Sequence, residues 1–421
     1  TSTLERKDIN FDGKIKIATK LEITNANFYK SILGWDENIW DFTGIVNEEV
    51  PKLKNLDPNK NIPIILKENI NSVDEFIEKL STKPDGRYTL TKDLDFSGKN
   101  YNLGSSVIPG VFFGVIDGNG HAIKNLSNAS IFEQFSGTAQ NLNIENFQHG
   151  IVWNKPPYTQ YIDTWNSDKT QNNVAAFTKK SEAAKFYNMR FNRIIMTGNN
   201  NIAVITVNDK DSVFEKINVT EVFIMTESKI ANSGNKSSTF ISEKTGGSIK
   251  NCYVQGEMHT AGSESGAVIG LSHGEIKIEN VVANIIGRGY KEENAKNSGL
   301  FIGKIEGKTE IKNSISIGKT LYDILLNKFA MIPNAANIEF ITNCYENADE
   351  QGISNSNGTN IKEVSKEQLL SKEFYRDILH LDENIWDLDN IEERNYSESP
   401  FPYSPDPTKF PKIIDFGGLK K

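Results

Sequence analysis

The chain has 421 residues, with 47 Lys and Arg against 55 Asp and Glu, a net charge of −8, and two cysteines. An acidic balance without a long basic stripe excludes a nucleic-acid partner, and no apolar run is long enough for membrane insertion. Two cysteines cannot supply a disulfide framework.

Residues 1–57 make sense only beside the far end of the chain. Phe28-Tyr29-Lys30-Ser31-Ile32-Leu33-Gly34-Trp35-Asp36-Glu37-Asn38-Ile39-Trp40-Asp41-Phe42 returns as Phe374-Tyr375-Arg376-Asp377-Ile378-Leu379-His380-Leu381-Asp382-Glu383-Asn384-Ile385-Trp386-Asp387-Leu388. Each copy is followed by a Pro-Lys-apolar close, Pro51-Lys52-Leu53 and Pro411-Lys412-Ile413. We read 1–57 as the end of a preceding repeat module, 58–364 as the main body, and 365–421 as a capping helix with a proline-rich closing segment.

Ser72 and Glu75 form a capping-box pattern, and Val73, Phe76, Ile77 and Leu80 share one helical face. This short helix is expected to plug the first coil, because a parallel stack must hide its terminal edge. Tyr88–Phe96 alternates as a strand. A full coil follows over Phe112–Leu126, with the corner Gly118-Asn119-Gly120, and another over Ser130–Phe147. Periodicity then breaks between Gly150 and Asn173, where Trp153, Pro156, Pro157, Tyr158, Tyr161 and Trp165 crowd together. Folded back, these rings would cover the side of the stack. Presented outwards, Trp153, Tyr158, Tyr161 and Trp165 would bind a ligand by stacking and amphipathic contact.

Coils resume at Val174 and run to about Asn347, with a lapse between Leu321 and Asn337 that reads as a short packed helix. Within them one phrase recurs. Ser265-Gly266-Ala267-Val268-Ile269-Gly270, Gly274 and Ile278-Glu279-Asn280 return 33 positions later as Ser298-Gly299-Leu300-Phe301-Ile302-Gly303, Gly307 and Ile311-Lys312-Asn313. A looser copy is Ser238-Thr239-Phe240-Ile241, Gly247 and Ile249-Lys250-Asn251. The copies lack helical spacing, and their short Val, Ile and Phe runs are bounded by Gly, Ser and Asn. Asn188, Asn218, Asn251, Asn280, Asn313 and Asn343 recur at one point after a strand, where Asn suits a left-handed bend and could form a ladder. The fold class is therefore all-β: a right-handed parallel β-helix, a solenoid with short helical caps.

The five histidines include no pair four apart, and neither an HExxH zinc helix nor a cysteine-pair zinc spacing occurs, so no metal and no cofactor are expected. His259 and His273 read as exposed corner residues. Cys252 and Cys344 read as small core residues three coils apart, roughly 14 Å at strand spacing, too far to bridge. Asp209 with Asp211, and Asp93 with Asp95, alternate in the manner of the paired carboxylates of a glycoside hydrolase. Their flanking Lys210 and Lys92 favour a solvated surface. A lyase would want an acidic calcium cluster beside a base, and none lies near Arg190 or Arg193 in sequence. No catalytic residue is assigned.

The Ser-Gly-Ala-Val-Ile-Gly and Ser-Gly-Leu-Phe-Ile-Gly coils resemble the GLUG repeats of bacterial surface proteins. With Tyr88–Phe96, Ile116–Leu126 and Leu33-Gly34-Trp35-Asp36-Glu37-Asn38-Ile39-Trp40-Asp41, the chain is similar to the N-terminal, non-peptidase region of the immunoglobulin A-type zinc metallopeptidases of Gram-positive bacteria. The resemblance covers about residues 30–400. It implies a secreted or cell-wall location and a monomer within a larger parent chain. It also implies a non-catalytic binding or spacer role towards a host glycoprotein or glycan, with the zinc helix elsewhere in the parent. His380-Leu381 stands where the first phrase has Gly34-Trp35, which breaks any shared role for those positions. A polysaccharide lyase or hydrolase, and a pure stalk or adhesin, are the competing functions.

Overall fold

The computed structural model describes residues 67–150, 173–226 except 199, 236–260, 264–289, 298–317, 319–320, 331–333, 340–347, 360–389, 391 and 412–413 of the main body. Nearer the start it describes 25–32, 37, 40–43, 45 and 51–53. The chain divides into two compact units, Thr1–Leu66 and Lys67–Lys421. The expected packed helix at Leu321–Met331 falls largely, and the proline tail at 399–407 wholly, outside the described residues.

Lys67–Lys421 contains a parallel β-helix. Strands from successive coils pair in parallel on three faces. The long sheet has a path of eleven strands from Lys67–Ile70 to Ile361–Glu363. Ten steps at about 4.8 Å give a stack about 48 Å tall. A second sheet runs from Ser105–Phe112 to Ile302–Ile305, and a third stacks the two-residue strands Val174–Ala175, Ile202–Ala203, Ser237–Ser238, Ser265–Gly266 and Ser298–Gly299.

The recurrent phrase is one passage from the third sheet into the second. Its Ser-Gly pair forms the third-sheet strand, and Ile241, Ile269 and Ile302 align in the second. The passage is too tight for a side chain at its glycines. A Cβ on Gly266 would lie 2.2 Å from the Ile269 carbonyl, and one on Gly303 2.6 Å from the Gly270 carbonyl. Ser237 and Ser265 stack hydroxyl to hydroxyl at 2.7 Å.

Inward-facing residues fill the coils. Phe112, Phe132, Phe135, Phe177, Phe186 and Phe214 form a continuous aromatic column, with Phe186 stacked on Phe214 at 4.7 Å. Helix α1 (Val73–Thr82) starts where Ser72 Oγ accepts from the Glu75 N–H at 3.1 Å. The Glu75 carboxylate accepts from the Asn71 N–H, not from Ser72 itself. Phe76 and Leu80 enter the core, where Phe76 meets Phe96 and Phe132, so α1 plugs the first coils as its apolar face requires.

The long strands bend where a residue takes positive φ, and the asparagine row marks such a bend. Asn188, Asn251, Asn280, Asn313 and Asn343 have φ between 48° and 55° or at 56°. Amide bonds link Asn280 to Asn251 at 3.0 Å and Asn343 to Asn313 at 2.9 Å. Asn218 is not part of the row: Lys216, φ 55°, holds the position between Asn188 and Asn251. Asn141 extends the row downwards, accepting from the Asn188 amide at 2.6 Å. The row interrupts at Lys216, whose ammonium lies instead over the Tyr187 ring.

The two copies of the aromatic phrase fold alike locally. Phe28–Ile32 and Phe374–Ile378 each form a π-helical turn. Trp40 then pairs antiparallel with Leu53, and Trp386 with Ile413. In the second copy Phe374, Tyr375, Leu379 and Trp386 pack with Tyr253, Val282, Ile315 and Tyr345. Those four share one cross-strand column of the long sheet, while Cys252 and Val281 beside them belong to the interior core. Strand alternation therefore puts the C-terminal segment on the outer face of the long sheet. The helix expected from Ser365 is a single turn, α2 (Lys366–Leu369), with a complete Ser365–Gln368 capping box.

Candidate functional site

Coil length varies, and the largest differences fall at one corner. Between paired strands of the long sheet the offsets are 185 − 138 = 47, 213 − 185 = 28 and 248 − 213 = 35. They continue as 277 − 248 = 29 and 308 − 275 = 33. The excess of the coils at 47, 35 and 33 lies between a long strand's end and the next third-sheet strand, in segments 150–173, 227–236 and 290–297, where the shortest such passage is 199–201; a smaller one falls at the Gly118-Asn119-Gly120 corner, across which the pairing offset changes from 23 to 21. A strand paired on both sides cannot gain a residue without shifting its register, whereas a corner can.

Trp153, Tyr158, Tyr161 and Trp165 sit in the longest of these segments and lie outside the described residues. The stem that carries them is described. His149 ends the strand Thr138–His149 fully buried, its carbonyl accepting from Thr197 Oγ1 at 3.2 Å. Gly150 follows at φ 90° and donates to Asn128 Oδ1 at 3.3 Å. On the return side, Asn173 at φ 61° donates to the Asn200 carbonyl and accepts from the Asn201 amide at 2.7 Å. Burial pushes the His149 imidazole down from 6.5 to about 4, with Lys179 adding to the effect. The Asn128 backbone works against that lowering. The stem thus encloses a fully buried histidine that is neutral at pH 7.

A second feature is a groove of about 660 Å³ near the start of the stack, lined by Lys92, Asp93, Asn119, Gly120, His121, Asn143 and Glu145. The Gly118-Asn119-Gly120 corner forms one wall because a Cβ on Gly118 would meet the Asn141 carbonyl at 2.3 Å. Asp93 accepts from Lys124 at 2.9 Å and from the Ala122 N–H at 3.1 Å, with His121 Nδ1 at 3.3 Å. Burial would raise its carboxyl, but these hydrogen bonds outweigh burial and hold it below the usual carboxylate range. Asp93 is half exposed and anionic, as the sequence suggests. The groove offers alternating donors and acceptors to a hydroxyl-rich ligand.

Three expectations need correction. Asp209 is not on the surface: it is 3% exposed and paired with buried Lys244 inside the coils. The alternation is right, but it turns Asp209 inwards. His259 is not an exposed corner residue either. It is 8% exposed, bonded to Glu257 and edge-on to Phe223 on the outer side of the long sheet. Asn218 leaves the asparagine row, as described above. His273 is half-buried at a corner between Glu243 (3.2 Å) and Glu306 (3.3 Å), within a lateral ion network that includes Lys236 and Lys304. Cys252 and Cys344 are buried free thiols. Among the described residues no group of three or more His, Cys, Asp or Glu could hold a metal, and no helix is long and apolar enough to cross a membrane.

No family model and no curated protein matches the chain. Among solved structures it is similar to an "IgA1 Protease", with 14% identity and a TM-score of 0.48, over 68% of this chain and 22% of that one. It is also similar to a protein from Bacteroides ovatus assigned as an immunoglobulin A1 protease, with 16% identity and a TM-score of 0.39, over 83% of this chain and 92% of that one. The chain thus spans about a fifth of the first of these proteins.

Proposed function

We propose that this chain is a non-catalytic binding and spacing module of a secreted bacterial zinc metallopeptidase, displayed at the cell surface, that recognises or positions a host glycoprotein such as immunoglobulin A. The observation that carries the reading is that segments 150–173, 227–236 and 290–297, which make the coils of offset 47, 35 and 33, all fall along one edge of a stack about 48 Å tall. A stiff scaffold with variable segments along one edge suits presentation of a binding surface. The longest of them holds Trp153, Tyr158, Tyr161 and Trp165, residue types that anchor glycan and protein contacts at low entropic cost. The GLUG-like phrase and the repeated Trp-Asp closing phrase support the same reading, and no zinc helix can be written in the sequence.

The test is surface-plasmon binding of the full chain to immunoglobulin A and to its released glycans, beside a variant with all four aromatic residues changed to Ala. Saturable binding weakened at least tenfold in the variant, with thermal unfolding nearly unchanged, is expected. A large loss of melting temperature would instead make these rings structural cover. Unsaturated product or new reducing ends from uronic-acid polymers would replace the reading with a polysaccharide-cleaving enzyme.

A further inference from the structure

One column of the second sheet carries charged groups into the interior of the stack. Cross-strand register aligns Phe112, Phe135, Ser181, Asp209, Lys244, Ser272 and Ile305 in successive coils. At its centre the Lys244 ammonium and the Asp209 carboxylate, both with fully buried side chains, meet at 2.5 Å. Lys244 Nζ also donates to the Ser212 carbonyl at 3.0 Å and lies 4.8 Å from the centre of the Phe214 ring. Asp209 Oδ1 accepts from Ser181 Oγ at 2.5 Å.

Taking two ions out of water costs several kcal/mol each, and their attraction seldom returns all of it. Two reactions relieve that cost. A proton can pass from Nζ to Oδ2 across the short contact, leaving a neutral amine beside a neutral carboxylic acid. The amine can then attack the acid. Burial pushes Lys244 below the usual lysine range, in the direction of the free amine, although Asp209 opposes the shift.

We propose that Lys244 and Asp209 condense to an isopeptide bond that covalently joins two adjacent coils. Nζ forms a bond to Asp209 Cγ while the Cγ–Oδ2 bond breaks. Oδ2 leaves as water with two protons, both originally on Nζ. One ammonium and one carboxylate become one amide and one water, so no oxidant or cofactor is needed. Ser181, donating to Oδ1, stabilises the charge that builds on this oxygen in the tetrahedral intermediate and then bonds the amide carbonyl. The one hydrogen left on Nζ keeps its acceptor, the Ser212 carbonyl. Every polar atom of the product has a partner, and the buried charges are gone.

The experiment is intact mass of the full chain under denaturing conditions, followed by a tryptic map. A mass one water below the sequence mass is expected. So is a branched peptide joining residues 194–210 to 237–250 through an uncleaved Lys244. Lys244→Arg should show its full sequence mass, and Ser181→Ala should accumulate the linked form at least tenfold more slowly. A wild-type chain that keeps its full mass after prolonged incubation in the folded state overturns the proposal, as does a water loss that survives in Lys244→Arg. The wild-type measurement decides the matter even if a variant fails to fold.

Discussion

Replacing His149 with Met tests the burial of this ring at the end of the strand Thr138–His149. The His149 ring is fully buried, with its pKa lowered from 6.5 to about 4 by burial. The unfolded chain holds this proton more tightly than the folded chain does. The neutral ring's contribution is therefore complete above 6.5 and is lost progressively as pH falls from 6.5 towards 4. For these two values the linkage amounts to about 2.5 kcal/mol at pH 4.5 relative to pH 8. Met has a similar length and no charge, so His149→Met removes that dependence while keeping the site filled. Urea unfolding at about pH 8 and about pH 4.5 measures it. Carboxylates such as Asp117 and Glu133, whose pKa values are lowered in the fold, also destabilise the chain on acidification, but they do so equally in both proteins. Wild type should lose about 2 kcal/mol more than the variant between the two conditions. Equal losses would show that His149 is solvated and not buried.

Trp386→Ala should cost about 3–5 kcal/mol within the C-terminal cluster, because the ring is fully buried among Phe374, Tyr375 and Leu379. Hydrogen exchange should quicken over 360–389 and leave the strand Thr138–His149 protected; a uniform loss would mean the segment and stack unfold together. The Cys252 and Cys344 thiols, both pushed up to about 12 by burial, should resist iodoacetamide in the folded chain and react within minutes in denaturant. Labelling at equal rates in both conditions would refute their placement in the core.

The architecture was legible because the repeat is written in residues whose role is steric. Gly266 and Gly303 sit where backbone atoms leave no room for a Cβ, and five of the six expected asparagines occupy the bend. Asn218 misled because spacing alone does not give the register: pairing on both sides puts Lys216 between Asn188 and Asn251, and Lys216 takes the left-handed position that Asn normally fills. Asp209 misled, and its partner Lys244 went unnoticed, for a different reason. Each is a residue type that belongs in water, and only alignment of the coils at an offset of 35 reveals that both fall in the inward column. The signal was available: Ser272, small and polar, occupies the same column one coil later. His259 could not have been placed, because what buries its side of the sheet comes from contacts distant in sequence.

These successes and failures divide along a physical line. Inside the stack most strands are paired on both sides, so adding one residue rotates a row of side chains out of the core unless a bulge absorbs it, as between Val219 and Val222. That constraint makes the interior periodic and therefore readable. At the corner between the long and third sheets no such penalty applies, and offsets range from 28 to 47 without disturbing the register of the strands on either side. The same freedom that makes this edge unreadable from periodicity lets it acquire new residues without loss of fold. The corner is thus where residues can be added, and the paired coils are where the fold is held.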